Sequence, residues 1–168
     1  MSCPTGACQR AVLGVLGCLA GTVAAGGPAR SEQVIYPATN CERFSGPSAS
    51  AYYGRSGGVA NKSLLGETLT LLCPVPGKNA WAVSNLQFYS VDNSPFGSVC
   101  CRFEWHAPGG STTFQSASKC AAAGASSVTM PVTNSIPFGG YAMLVCDVPS
   151  SLGSAQEAKL QSYLVTMP

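Results

Sequence analysis

The chain has 168 residues, of which 10% are charged, and its nine Lys and Arg exceed its seven Asp and Glu for a formal net charge of +2. An average soluble domain carries roughly 25% charged residues; here Ser, Thr, Gly and Asn supply the polarity. No Lys/Arg cluster occurs anywhere, which speaks against a nucleic-acid partner, and the scattered carboxylates speak against an acidic calcium cage.

Arg10 is the only charge before Arg30, and residues 11–25 are mostly Ala, Val, Leu and Gly. A positive start, an apolar stretch and small residues after it form a secretory signal. Val23-Ala24-Ala25 puts small side chains where a signal peptidase reads, so residues 1–25 are expected to be the signal, with cleavage after Ala29 as second choice. Residues 26–35 are then a short linker and 36–168 a single domain. An uncleaved anchor is a second reading, opposed by Gly14, Gly17, Gly21 and an apolar part shorter than the roughly 20 residues of a span. A lipoprotein anchored through Cys18 is a third, because Val15-Leu16-Gly17-Cys18 resembles a bacterial lipobox. All three send the remaining chain out of the cytoplasm, to a secreted or periplasmic location with no membrane span in the mature part.

Strand patterns fill that part. In Glu67–Cys73, Leu69, Leu71 and Cys73 alternate with Thr68, Thr70 and Leu72. Ala80–Val91 is a further candidate. Val99, Cys101 and Phe103 alternate with Cys100, Arg102 and Glu104. Ser111–Ala117 and Ser126–Val132 follow, then Leu144, Cys146 and Val148 on one face with Asp147 on the other. Gly153–Gln161 is the only helix-like stretch, and Gln161–Thr166 closes the chain as a strand. Period-two runs separated by Gly, Pro, Asn and Ser mean sheets. The expected fold is all-β, an antiparallel β-sandwich, with a small β-barrel as alternative.

Nine cysteines occur, three of them in the signal. The other six, Cys41, Cys73, Cys100, Cys101, Cys120 and Cys146, read as a disulfide framework in an exported domain, whose connectivity sequence alone does not settle. Zinc would bring ligands in Cys-x-x-Cys or His-x-x-x-His pairs; neither is present, and no metal or cofactor is expected. Cys100 and Cys101 point to opposite faces of one strand, so they are expected to take different partners.

Tyr36-Pro37 with Cys41, Gly57 or Gly58 with Asn61, Cys73-Pro74, Asp92, Val99-x-Cys101-x-Phe103, Leu144-x-Cys146-x-Val148-Pro149 and Ser162-Tyr163-x-Val165 occur in this order. Together they resemble a family of small exported bacterial β-sandwich proteins of uncharacterised function, over residues 36–165. The resemblance implies a secreted sandwich and brings no catalytic residue. It implies four cysteines, matching Cys41, Cys73, Cys101 and Cys146; this chain adds Cys100 and Cys120, which makes Cys100–Cys120 the extra bridge. The facing pattern fits that set. Cys101 and Cys146 lie among core-facing residues and are expected to bridge between facing sheets, Cys100 turns outward to Cys120, and Cys41–Cys73 ties the N-terminal segment to the Leu69–Leu71 strand.

Candidates for chemistry are few. Gly54-Arg55-Ser56-Gly57-Gly58 matches the nucleophile-elbow pattern, with Asp92 and His106 after it in hydrolase order, but a β-like run rather than a helix follows. His106, the only histidine, is expected at the surface, before the turn Pro108-Gly109-Gly110. Glu104 and Asp147 are expected to pair with Arg102 or Lys119 or to face water. Tyr52, Tyr53, Tyr89, Trp81 and Trp105 are flat faces on which a sugar or a partner protein could stack, with core as the expected fate of Trp81. Asn61-Lys62-Ser63 is a glycosylation sequon. The functional expectation is an exported non-catalytic module binding a surface, glycan or protein, with Trp105, His106, Tyr52 and Tyr53 as binding candidates and no catalytic residue. A structural extracellular or matrix component without a small ligand is one alternative, and a small secreted hydrolase another.

Overall fold

A computed structural model describes residues 31–46, 51–54, 56–76, 83–132 and 139–167. The expected signal (residues 1–25), Cys18, Arg55 and Trp81 lie outside the described residues. Among the described residues twelve strands form in chain order: β1 (Glu32–Pro37), β2 (Glu42–Ser45), β3 (Ala51–Tyr53), β4 (Val59–Asn61), β5 (Leu69–Val75), β6 (Asn85–Asp92), β7 (Cys100–His106), β8 (Thr112–Gln115), β9 (Lys119–Cys120), β10 (Gly124–Pro131), β11 (Tyr141–Val148) and β12 (Ala158–Met167). They make two antiparallel sheets. The first has the order β10-β6-β12-β4-β3, with β1 also on β12; the second has the order β2-β5-β11-β7-β8, with β9 also on β7. Among the described residues neither sheet closes on itself, so the fold is the sandwich rather than the barrel.

Alternation in the sequence becomes the two faces of each sheet. Leu69, Leu71 and Cys73 of β5, Cys101 and Phe103 of β7, and Leu144, Cys146 and Val148 of β11 all point inward and are buried. They meet Val59, Leu86, Phe88, Leu160, Tyr163 and Val165 from the first sheet in one continuous core. Tyr163 crosses that core. Its hydroxyl donates to the Pro74 carbonyl at 2.6 Å, and Tyr36 of β1 stacks on its ring with centroids 5.3 Å apart. Burial first, and Tyr36 second, push the Tyr163 hydroxyl pKa well above its ordinary 10.0.

Two expected boundaries move. Residues 32–35, expected as linker, belong to β1, whose ladder on β12 pairs Glu32 with Met167 and Pro37 with Ser162; Val34 and Tyr36 pack on the core, and that burial holds the segment down. Gly153–Gln161 is not helical beyond a 3-10 turn at Ser154–Gln156. Ala158 and Leu160 are both fully buried, and only a strand, with its period of two, puts both inward. The Ala158 N–H also donates to the Ser151 hydroxyl at 3.0 Å, which starts the strand.

All three expected bridges form: Cys41–Cys73, Cys100–Cys120 and Cys101–Cys146, with Cα separations of 4.0, 4.0 and 4.1 Å. Their placement corrects one expectation. Cys101–Cys146 does not link facing sheets, because Cys101 and Cys146 are direct partners on neighbouring strands β7 and β11. Cys100 and Cys120 are likewise partners across β7 and β9. Both residues of a cross-strand pair point to the same face, so the inward pair is buried and the outward pair lies at the surface.

Candidate binding groove on the second sheet

The ladders fix what the outward face of the second sheet presents. They set Leu72 beside Val145 and Arg102, Pro74 beside Met143 and Glu104, and Tyr141 beside His106. Tyr141, Met143 and Val145 are the outward residues of a central strand; Val145 is buried by its neighbours, Met143 is half-buried and Tyr141 is exposed. A groove of about 430 Å³ opens here, with Asn40, Glu42, Leu72, Pro74, Tyr141 and Met143 among its walls. Asn40 and Glu42 bring polar groups from the β2 side, and Leu72, Pro74 and Met143 form the apolar floor.

Tyr141 stands at one end. Its ring stacks on His106 with centroids 4.9 Å apart and planes 8° from parallel. His106 comes from β7, on one flank of β11, while the groove lies over β5, on the other flank. The second face of the tyrosine ring therefore borders the groove, and Tyr141 is 47% exposed. Gly110, beside the tyrosine hydroxyl, has φ 90°, a left-handed conformation that favours glycine.

Beside Tyr141 runs a polar network that is already satisfied. Arg102 Nε donates to Glu104 Oε1 at 2.7 Å and Nη1 to Asp147 Oδ2 at 3.4 Å. Gln115 Nε2 donates to Glu104 Oε1 at 3.2 Å, and the Thr70 hydroxyl to Asp147 Oδ1 at 2.7 Å. His106 Nε2 lies 3.5 Å from Glu104 Oε2. Both carboxylates are tied to Arg102, as expected, and not to Lys119.

The four binding candidates do not converge. His106 lies behind Tyr141, outside the groove lining, and is 8% exposed rather than a surface residue, because Tyr141 and Glu104 cover it. Trp105, next in the strand, points the other way and packs against the core. Tyr52 and Tyr53 are exposed on β3, at an edge of the opposite sheet, with Lys62 Nζ 5.6 Å from the Tyr52 ring centre. The nucleophile-elbow match fails on the same geometry. Ser56 accepts from Lys159 Nζ at 3.1 Å, on the first sheet, while His106 belongs to the second. Gly58 is there for packing: a Cβ would collide with the Lys159 side chain and press to 3.1 Å on the Leu160 carbonyl. Tyr141 was missed. Its signal was the run Tyr141, Met143, Val145, which makes the expected solvent face of a strand apolar.

Among the described residues no His, Cys, Asp and Glu group could hold a metal ion, and no helix is long and apolar enough to cross a membrane. No family model matches the chain, and no curated protein matches it in sequence. Solved structures do resemble it in fold. A low affinity xylan binding module, CBM86, from Roseburia intestinalis superposes with a TM-score of 0.50 at 11% identity, over 82% of this chain and 96% of that one. The C-terminal CBM6 of a marine laminarinase from Zobellia galactanivorans gives a TM-score of 0.43 at 10% identity, over 80% and 99%. A family two carbohydrate esterase from Cellvibrio japonicus gives 0.43 at 10% identity, over 83% of this chain and 34% of that one. The first of these likenesses supports the β-sandwich.

Proposed function

We propose that this domain is an exported, non-catalytic carbohydrate-binding module whose glycan lies in the groove of the second sheet, with one sugar ring stacked on Tyr141. The carrying observation is the tyrosine ring itself, fixed on one side by His106 and bordering the groove of about 430 Å³ on the other. A flat aromatic face takes the C–H face of a sugar, and its order before binding lowers the entropy lost on binding. The apolar floor of Leu72, Pro74 and Met143 removes water from the ring, while Asn40 and Glu42 meet its hydroxyls. The volume falls within the roughly 300–1,000 Å³ of small-ligand sites. The likeness in fold to a xylan binding module supports the same reading. Glu104 and Asp147 are both held by Arg102 and lie outside the groove lining, so neither is placed to act as acid or base there. Three disulfides fit an oxidising compartment, so the module works outside the cytoplasm, in the medium or the periplasm.

A glycan array probed with the domain tests this. The expected result is binding to a restricted set of neutral glycans, abolished in Tyr141→Ala with the thermal transition kept. A dark array, or binding indifferent to Tyr141→Ala, would overturn the proposal.

A further inference from the structure

We infer that Glu42 sets the charge selectivity of the groove: it accepts neutral glycans and refuses those carrying carboxylate or sulfate. The inference rests on the glycan reading above and adds the class of sugar that the site takes. Glu42 is the only charged residue lining the described part of the groove. It is exposed, and no cation among the described residues pairs with it. Of the nearby cations, Arg43 follows Glu42 on β2, so its side chain leaves from the other face of the strand and Nη1 donates to the Gly46 carbonyl at 2.6 Å, while Arg102 is held by Glu104 and Asp147. Lys119 stands on β9, beyond β7 from the groove. The neighbouring network of Arg102, Glu104 and Asp147 adds no compensation, because it joins two carboxylates to one guanidinium. Among the described residues, a ligand entering here meets net negative charge.

That charge acts in two ways. A carboxylate is an acceptor with two oxygens, so two adjacent sugar hydroxyls can donate to Glu42 in charge-assisted hydrogen bonds. A uronate or sulfate in the same place meets like charge, at a distance where salt screens the repulsion only in part. Glu42 thus favours an unmodified sugar ring and discriminates against the acidic one, without touching Tyr141.

The experiment is an array of matched oligosaccharides, neutral and uronate-bearing or sulfated on the same backbone, probed with wild type, Glu42→Gln and Tyr141→Ala at low and at physiological salt. Wild type is expected to bind the neutral partner at least about five-fold better at low salt, with the gap shrinking as salt rises. Glu42→Gln should narrow the gap to less than about two-fold, and Tyr141→Ala should lose both partners. Because Glu42 is exposed, the Gln variant keeps its unfolding transition. Equal wild-type binding to both partners, or an unchanged gap in Glu42→Gln, overturns the charge assignment while leaving the glycan reading intact. Absence of wild-type binding to every probe overturns the glycan reading and this assignment with it.

Discussion

The two sheets hold their strands together by different means. In the first, long ladders hold most of the sheet: β6 pairs with β10 from Asn85 to Asp92 and with β12 over the same span, and β1 lies along β12 from Glu32 to Pro37; only β3 and β4, at one edge, pair over short runs. In the second, the outer strands are short. Strand β9 contributes only Lys119 and Cys120, and β2 is irregular between Arg43 and Ser45. All six described cysteines lie in or beside this sheet, linking β5 to Cys41 at the start of β2, β7 to β11, and β7 to β9. The Cys41–Cys73 and Cys100–Cys120 bridges reinforce these short outer ladders, whereas Cys101–Cys146 lies within the long ladder of β7 on β11. The groove lies on the stapled sheet, where its floor strand β5 and its aromatic strand β11 are each bridged to a neighbour. A binding surface gains from such rigidity, since order present before binding need not be created on binding.

Breaking the staples should expose the difference most strongly. In a chain-entropy model, loops with sequence separations of 32, 20 and 45 residues each stabilise by about 3–4 kcal/mol. Cys101 and Cys146 are also fully buried, so their replacement by Ala leaves core space as well. The double variant Cys101→Ala/Cys146→Ala is expected to lose about 4–5 kcal/mol in denaturant unfolding. Replacing Cys100 and Cys120 should cost less, because their loop is shorter, 20 residues against 45, and their side chains lie outside the core. Equal losses for the two pairs would show that burial adds nothing to loop closure here.

Next in size is a junction between the two sheets. Asn61, on β4 of the first sheet, donates through Nδ2 to the Glu67 carbonyl at 2.7 Å and to the Val148 carbonyl, at the end of β11 in the second, at 3.0 Å. Its Oδ1 accepts from the Ser63 N–H at 3.0 Å. Asn61→Ala leaves these buried groups unpaired and is expected to cost about 2–3 kcal/mol. Because the amide is fully buried, expression in a glycosylating host should leave the sequon bare, and intact mass decides that.

Much of the architecture was legible for one reason: burial on one side of a strand writes itself as period two. The faces of β5, β7 and β11 follow directly from Leu69-Leu71-Cys73, Cys101-Phe103 and Leu144-Cys146-Val148. What periodicity does not encode is which strands become neighbours, so Cys101–Cys146 was expected between sheets and lies within one. Several residues of the family-like pattern prove to be structural. Asn61 joins the sheets, Asp92 Oδ2 accepts from the Val99 N–H at 3.0 Å, and Tyr36 stacks on Tyr163. The groove was poorly legible because it depends on side-by-side placement: Glu42, Pro74 and Tyr141 come from three strands far apart in the chain, and only the ladder sets them together. Aromatic content alone pointed equally to Tyr52 and Tyr53, on the wrong sheet for the groove.

Tyr163 offers a smaller effect that involves both sheets at once. Its raised pKa means that the folded state holds the phenolic proton after the unfolded chain has released it. The associated stability is fully present below the unfolded value near 10 and is lost as pH rises above it toward the folded pKa. Unfolding free energy should therefore fall above pH about 10, by at most about 1.4 kcal/mol per pH unit from this group. Tyr163→Phe should cost about 1–2 kcal/mol at neutral pH through the hydrogen bond to Pro74 and should flatten that alkaline decline. An identical alkaline slope in the variant would assign the decline to other groups, Tyr36 first among them, since burial and then Glu32 raise its pKa too.

The smallest expected effect is the sharpest test of how the two outer faces differ. Tyr89 on the first sheet is also an outward aromatic on a central strand, but its hydroxyl donates to Gln87 Oε1 at 3.1 Å and its cross-strand neighbours are Ser127 and Ser162. Tyr141 differs in having a planar ring behind it and a groove before it. If binding needs an aromatic ring held in place, and not merely an outward tyrosine, then Tyr89→Ala should leave glycan affinity unchanged. His106→Ala should weaken affinity by about three-fold, because loss of an aromatic pair worth roughly 0.5–1.5 kcal/mol lets the Tyr141 ring turn. His106 does not border the groove, so it acts as a positioning residue; His106→Phe, which restores a ring of similar plane, should recover most of the loss. Calorimetric titration of the three variants against a glycan selected on the array separates the cases. A failed rescue by Phe would mean that His106 contributes through its nitrogens and Glu104, and the network of Arg102, Glu104 and Asp147 rather than the stacked pair would then be what orders Tyr141.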